Sequence, residues 1–445
     1  MAAWTPMRRL VERLNEPFRR GVFGRGIRPS HIVITTGSLA GTMIVTSALG
    51  FPFWWIAARL FSPAVVGLAA AAISGMLLLG GVAAFGLGTL LVRELPRRPG
   101  HERGLIRSAL IAAGALGVVV GLGFAYGASA LDDALAPLSA TPWEAAIFAL
   151  GVSVTSLTIV TDQSLVGLLR SELQFARNAA FALSKLVLLA ITGWLAGGGT
   201  WAGIYAVWSV SALLSLVLVA GVAVRSGAIP LTTGAPAPSW RHLGPSAAGH
   251  FALNLALQVP TLGMPILVTI LGSAALNASF YLAWLIGSGA TMIPFALSST
   301  LYAVGSRAPG ALPRQMQLTL GLSVVAAATV AAVLAVIGGS LLGLFGRAYV
   351  DAAPVLAIVA AAAVPMVVKN HFHVLLRIRD QLAAAAIVCA AGGLLELGAA
   401  GVGLARGGLP GLAIGWVVAL SVEAAVMGIP VARTAFAGDR TSTLA

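Results

Sequence analysis

Apolar stretches of 20 or more residues recur from one end of this chain to the other, more than any soluble fold could bury. Each is long enough, at about 1.5 Å per helical residue, to cross a hydrocarbon core of about 30 Å. Hydropathy windows place about twelve spans, near 33–58, 64–92, 105–130, 143–169, 173–197, 200–224, 247–271, 274–304, 315–345, 353–376, 382–404 and 408–432. Lipid offers the backbone no hydrogen-bonding partner, so spans of this length are helices. The expected fold class is an all-α integral membrane protein with about twelve transmembrane helices.

The charged residues, 9% of the chain, fix its orientation. With the N-terminus on the cytoplasmic side, the inner segments hold 22 arginines, from Arg8 and Arg28 through the cluster Arg93 to Arg107, then Arg170, Arg177, Arg225, Arg241, Arg307, Arg314, Arg377, Arg379, Arg433 and Arg440. The outer loops hold Arg59, Arg347 and Arg406. Positive residues stay on the cytoplasmic side, so both termini are expected there. The net charge of +13 is spread over every inner loop, which argues topology rather than nucleic-acid binding. The single Cys389 lies in an apolar span, so there is no disulfide framework. Neither a phosphate-binding glycine loop, nor a nucleophile elbow, nor a metal-ligand spacing occurs in the sequence, so no catalytic residue, metal or cofactor is expected.

Residues 1–30 form a cytoplasmic segment whose Met7, Leu10, Val11, Leu14 and Phe18 recur at helical spacing among arginines, an amphipathic helix for the inner leaflet. Residues 31–225 hold the first six spans and 247–434 the last six. The hydrophilic, proline-bearing stretch 226–246 joins them, and 435–445 is a tail. The two halves read as a parallel repeat, because Val160 to Arg170 can be laid over Val367 to Arg377 at an offset of 207. Prolines at Pro52, Pro260, Pro265, Pro294 and Pro365 interrupt spans and predict bends.

Charges within spans each cost about 2.5–3.5 kcal/mol at the centre of a lipid-facing helix, so they face protein or water. Asp162 and Lys185 fall at similar expected depth on neighbouring helices, which allows an ion pair or a cavity role. Lys369 has its nearest acidic candidates in Glu396 and Glu423, so Asp162, Glu396 and Glu423 are either coupling groups or structural ion-pair partners. Lys185, Lys369, Arg28, Arg59, Arg170 and Arg177, with His31, are candidate cations of a substrate path. His371 and His373 add a polar cavity wall or a proton-sensitive site. Gln258, Asn254, Tyr281 and Trp284 are candidate sugar contacts.

Three segments carry a family resemblance. They are Arg59-Leu60-Phe61-Ser62-Pro63-Ala64-Val65-Val66-Gly67-Leu68-Ala69, Gly86-Leu87-Gly88-Thr89-Leu90-Leu91-Val92-Arg93-Glu94-Leu95-Pro96-Arg97, and the stretch from Leu344 to Leu356. Together the sequence resembles the polysaccharide-export flippases of the multidrug, oligosaccharidyl-lipid and polysaccharide exporter superfamily. The resemblance implies two six-helix lobes around a central cavity and a bacterial cytoplasmic-membrane location. It implies an alternating-access flippase moving a polyprenyl-diphosphate-linked glycan from inner to outer leaflet, in a pathway shared with glycan-assembly enzymes. The alternative within the superfamily is a multidrug or cation exporter, for which Asp162 is the one deep acid of the first half. A polyprenyl-dependent glycosyltransferase or ligase using Asp132 and Asp133 is the remaining alternative.

Overall fold

The computed structural model describes residues 50–98, 100–196, 199–225, 245–306 and 309–436. The expected amphipathic helix, Arg28, His31 and the linker up to residue 244 lie outside them, and the linker's last two residues open a helix. The described residues are helical throughout their ordered elements, without a β-strand.

The first half comprises α1 (Phe51–Leu60), α2 (Pro63–Ala84), α3 (Leu87–Glu94), α4 (Glu102–Leu131), α5 (Pro142–Gly167), α6 (Ser171–Ala196) and α7 (Trp201–Arg225). The second comprises α8 (Pro245–Leu271), α9 (Ala274–Gly287), α10 (Met292–Gly305), α11 (Leu312–Phe345), α12 (Ala353–Ala361), α13 (Ala363–Ile378) and α14 (Leu382–Ala435). The pairs α2–α3, α9–α10 and α12–α13 are single crossings with a break. The 54-residue α14 is two crossings that fold back at Gly407 and Gly408, where Gly408 takes a φ of 59° open to glycine at little cost. With α1 as the end of the first span, the chain makes twelve crossings in two lobes. Arg59, Arg347 and Arg406 mark the arginine-poor end of the bundle, and the other described arginines gather toward the opposite, arginine-rich end.

Packing within the lobes follows membrane rules, in which close backbone approach replaces hydrophobic segregation. On α4 the buried residues Ala109, Ala113, Gly117, Gly121 and Ala125 recur every fourth position, a groove of small side chains. The groove admits α5 so closely that a Cβ on Gly117 or Gly121 would stand 2.6 Å from a backbone Cα of Ser153 or Ala149. Ser153 and Ser156 then donate to the carbonyls of Gly114 and Ala113, at 2.9 Å each.

The repeat is real, but its register differs from the sequence alignment. Ser62 caps α2 by accepting from the Val65 amide, and Ser273 caps α9 by accepting from Leu276, 211 residues later. α5 ends in a left-handed Leu169, with Arg170 N–H donating to Leu165 O at 2.8 Å. α13 ends identically in Asp380, with Gln381 N–H donating to Leu376 O at 2.8 Å. The starts of α5 and α12, and of α6 and α14, are also 211 apart. The expected offset of 207 is therefore one helical turn short. A four-residue slip keeps apolar positions on nearly the same helix face, so sequence periodicity alone does not expose it. In the corrected register Lys185 corresponds to Glu396, and Asp162 to His373.

Two of the expected proline bends are breaks. Pro294 follows the 3-10 turn Ser288–Thr291, and Pro365 follows the interruption between α12 and α13. Pro260 and Pro265 remain inside a continuous α8, and Pro52 opens the described part of the first crossing.

Candidate functional site: a cavity between the lobes

A cavity of about 510 Å3 lies between α2, α5, α6 and α7 of the first lobe and α8 of the second. It occupies the arginine-rich half of the bundle. Its α2 wall begins at Leu77 and passes the helix break to Thr89, and its α8 wall runs from Phe251 to Leu262.

At the arginine-poor end the lobes are shut. The Gly67 backbone on α2 rests on the carbonyl of Ala274, and a Cβ there would stand 2.8 Å from the Ala278 nitrogen. Asn277 Nδ2 donates to Gly67 O at 2.7 Å. Gly67 thus meets Ala278, its own counterpart in the 211-residue register, as a two-fold axis between the lobes requires. Trp54 packs on Tyr281 and Phe51 on Phe345, with ring centroids 4.6 and 4.7 Å apart. The Arg59 guanidinium donates to Leu344 O at 2.9 and 2.7 Å, joined by Trp55 Nε1 at 2.9 Å.

Across the arginine-rich mouth, Phe85 meets Phe251 with ring centroids 5.0 Å apart. Phe85 and Gly86 are successive left-handed residues, with φ of 38° and 69°, and they separate α2 from α3. That conformation is uncommon for a bulky residue.

The wall is polar and aromatic. Thr155, Thr158 and Gln163 line it from α5, Asn254 and Gln258 from α8, and Phe181 and Trp208 from α6 and α7. Arg177 is the one charged side chain lining it among the described residues. Its Nε and Nη2 donate to the two oxygens of Asp162 at 2.6 and 2.7 Å, and Nη2 also reaches Asn178 Oδ1 at 2.6 Å. A bidentate pair of this kind is strong and directional. It leaves the wall without a free carboxylate.

The expected Asp162–Lys185 pair is not formed. The turn from Leu168 to Arg170 is tight, so Asp162, eight residues before Arg170, lies level with Arg177, seven after it. Lys185 is two helical turns further on, about 12 Å along the axis. It is buried, and its Nζ lies 5.4, 4.9 and 4.5 Å from the ring centroids of Phe53, Phe181 and Trp208. Aromatic faces attract a desolvated ammonium, and no salt bridge reaches it among the described residues. Two of those rings also line the cavity, so Lys185 stands one ring behind its wall.

Lys369 is brought to both acids named with it. It forms ion pairs with Glu396 and, at 2.8 Å, with Glu423 Oε2, inside the second lobe and away from the cavity. His371 and His373 also turn into the lobe rather than onto the cavity wall. His371 spans Val367 O at 2.8 Å and Thr319 Oγ1 at 3.2 Å, and His373 Nε2 lies 3.3 Å from Asn370 Oδ1. Arg170 is exposed and pairs loosely with Glu172. Arg59 is occupied by the Leu344 carbonyl, so it belongs to the closed contact at the arginine-poor end. Tyr281 and Trp284 are likewise spent on packing, Trp284 between Phe280 and Trp416. Asp132 caps its own turn by accepting from Ala134 N at 2.8 Å.

Of the named candidates, Arg177, Gln258 and Asn254 line the cavity, with Lys185 behind it. Thr155, Thr158, Gln163, Asn178, Phe181, Trp208 and Phe251 were not singled out from the sequence. The signal for the α5 wall was present, because positions 155, 158, 159, 162 and 163 form one helical face that carries four polar residues in an otherwise apolar span.

No family model and no curated protein matches this sequence. Solved structures match its fold along nearly the whole chain. An inward-facing multidrug resistance MATE family transporter of the MOP superfamily superposes with a TM-score of 0.69 at 16% identity, over 92% of this chain and 99% of that one. An outward-facing multidrug resistance MATE family transporter gives 0.63 at 15% identity, over 91% and 96%. A MOP superfamily transporter from Pyrococcus furiosus, described as having a binding pocket of reverse polarity that suggests a different function, gives 0.63 at 15% identity, over 91% and 96%. The fold is MATE-like, with twelve helices in two lobes.

Proposed function

We propose that this chain is a membrane transporter that exports drug-sized amphipathic solutes by alternating access, with its arginine-rich end in the cytoplasm. The observation that carries this reading is the cavity itself, shut by backbone contact at one end and bridged at the other, among the described residues, by an aromatic pair. A volume of about 510 Å3 falls within the range of about 300–1,000 Å3 typical of small-molecule sites. Solved proteins of this fold bear multidrug names, which favours such cargo over a glycan. The lining chemistry adds a preference. With Asp162 neutralised by Arg177 and Lys185 uncompensated behind the rings, the wall suits neutral or anionic solutes better than cations.

Carriage of a polyprenyl-diphosphate-linked glycan is the second reading, favoured by the same absence of a free carboxylate. Glycan-assembly enzymes enter as partners only with that reading.

The test is counterflow in proteoliposomes with neutral, anionic and cationic dyes of drug size, beside native mass spectrometry of the protein drawn from its own membrane. Transport of neutral or anionic dyes is the expected result. Failure of every dye, with a polyprenyl-diphosphate glycan bound to the purified protein, gives the second reading instead.

Two variants sharpen this. Arg177→Ala unmasks Asp162 on the wall and is expected to raise the cationic-to-anionic transport ratio at least about tenfold, an electrostatic bias of about 1.4 kcal/mol. An unchanged ratio sinks the assignment of that wall. Phe85→Cys with Phe251→Cys places thiols across the mouth, and oxidation is expected to stop transport, with recovery on reduction. The native Cys389 is buried and does not compete.

A further inference from the structure

The second lobe holds a cluster that the cavity does not use. Lys369 on α13, Glu396 on the first limb of α14 and Glu423 on the second meet near the middle of their helical crossings, and all three are at least 95% buried. The charge count is odd, with one cation and two carboxylates. Glu396 is fully served, by Lys369 through Oε1 and by Trp416 Nε1, which donates to Oε2 at 2.6 Å. Glu423 brings Oε2 to 2.8 Å from the ammonium without a directed hydrogen bond, and its Oε1 meets no donor among the described residues. Its carboxylate rests in a notch made by Gly392, where any Cβ would collide with it.

We infer that Glu396 and Glu423, bridged by Lys369, form a buried binding site for one exchangeable proton. An ionised second carboxylate would leave an uncompensated charge in a dry interior, which is far costlier than taking up a proton. The donorless Oε1 of Glu423 is where that proton is unopposed. A metal cation fits poorly, because hard cations need several oxygens around them and the ammonium already occupies the space between the two carboxylates.

The surrounding groups do not supply the missing charge. On α13, Arg377 lies two turns from Lys369, about 12 Å along the axis, and is held by Asn254 of α8 at 2.8 Å. His373 falls at i,i+4 between those two cations, where a third positive charge is disfavoured. His371 has both ring nitrogens engaged. The remaining titratable groups on the packed helices are Cys389 on α14, with Arg406 at its fold-back and Arg433 at its arginine-rich end, Tyr302 on α10, Tyr281 on α9, and His250 and Arg314 at the arginine-rich ends of α8 and α11. α12 contributes none.

This inference concerns a site outside the cavity and does not depend on any cargo. Its test is infrared spectroscopy of the intact protein in lipid, with glutamate 13C-labelled at the side-chain carboxyl, across mildly acidic to mildly alkaline pH. Glu396 and Glu423 are the buried glutamates among the described residues, so the label identifies the site in the wild type without any substitution. Expected is the carbonyl band of a protonated glutamic acid, shifted by the label, lost on alkalinisation with release of one proton, and absent from Glu423→Gln. A wild type with no such band has both carboxylates ionised, which overturns the proposal. So does a band that ignores pH, or one that survives in both Glu423→Gln and Glu396→Gln. Because no step of the measurement uses transport, its outcome stands whatever the dye assay reports.

Discussion

Replacing Lys369 by methionine is expected to destabilise the protein by about 3–5 kcal/mol, the usual consequence of leaving buried charges without their partner. Both carboxylates then face each other in a dry lobe, and Trp416 alone cannot offset them. The sign of the pH effect follows. With the ammonium gone, the acids are tolerated only when protonated, so the variant regains stability as pH falls. The check is thermal unfolding in detergent across pH, with the triple variant Lys369→Met, Glu396→Gln, Glu423→Gln beside it. That variant carries no charge and keeps an acceptor for Trp416, so most of the lost stability should return. A single variant as stable as the wild type at neutral pH would mean that the ammonium does not hold the acids.

Gly67→Val is expected to shift the balance between the two ends of the molecule. The position has no room for a Cβ, because its neighbours are the Ala274 and Ala278 backbone rather than flexible side-chain tips. Overpacking of this kind costs about 1–3 kcal/mol in a rigid site. Here the lobes can escape it by parting, since among the described residues this end is the one shut by backbone contact. The population closed at the arginine-poor end should fall about tenfold or more, and, under the proposed alternating-access cycle, transport should fall with it. Spin labels at Ala64→Cys and Ala275→Cys, both exposed beside the contact, report the separation directly. An unchanged distance together with wild-type transport would show that the contact does not control access.

The span count, the two lobes and the existence of a repeat were legible in the chain because hydropathy over 20-residue windows and charge at helix ends are local properties. The partners of Lys369 were legible too, since few acids lie in the second half. The partner of Asp162 was not. Arg177 looked like a loop charge, and only the tight turn after α5 draws it down to the level of Asp162. Arg59, His371 and His373 were misplaced for a related reason. Sequence shows that a residue is polar within a span, and not whether its helix turns it toward the cavity, the lobe interior or the opposite lobe.

The sequence by itself determined that this chain spans a bilayer about twelve times, with its positive charge gathered at one end. Those features follow from the cost of exposing peptide groups and charges to hydrocarbon, which each segment meets alone. The tertiary structure decided the 211-residue register, the closure of Gly67 on Ala274, the cavity with Arg177 as its one lining charge among the described residues, and the gathering of Lys369, Glu396 and Glu423. These depend on how far each helix slides and rotates against its neighbours. In lipid that is set by small-residue contacts and pairing of buried polar groups across helices distant in sequence, so no single segment carries the answer.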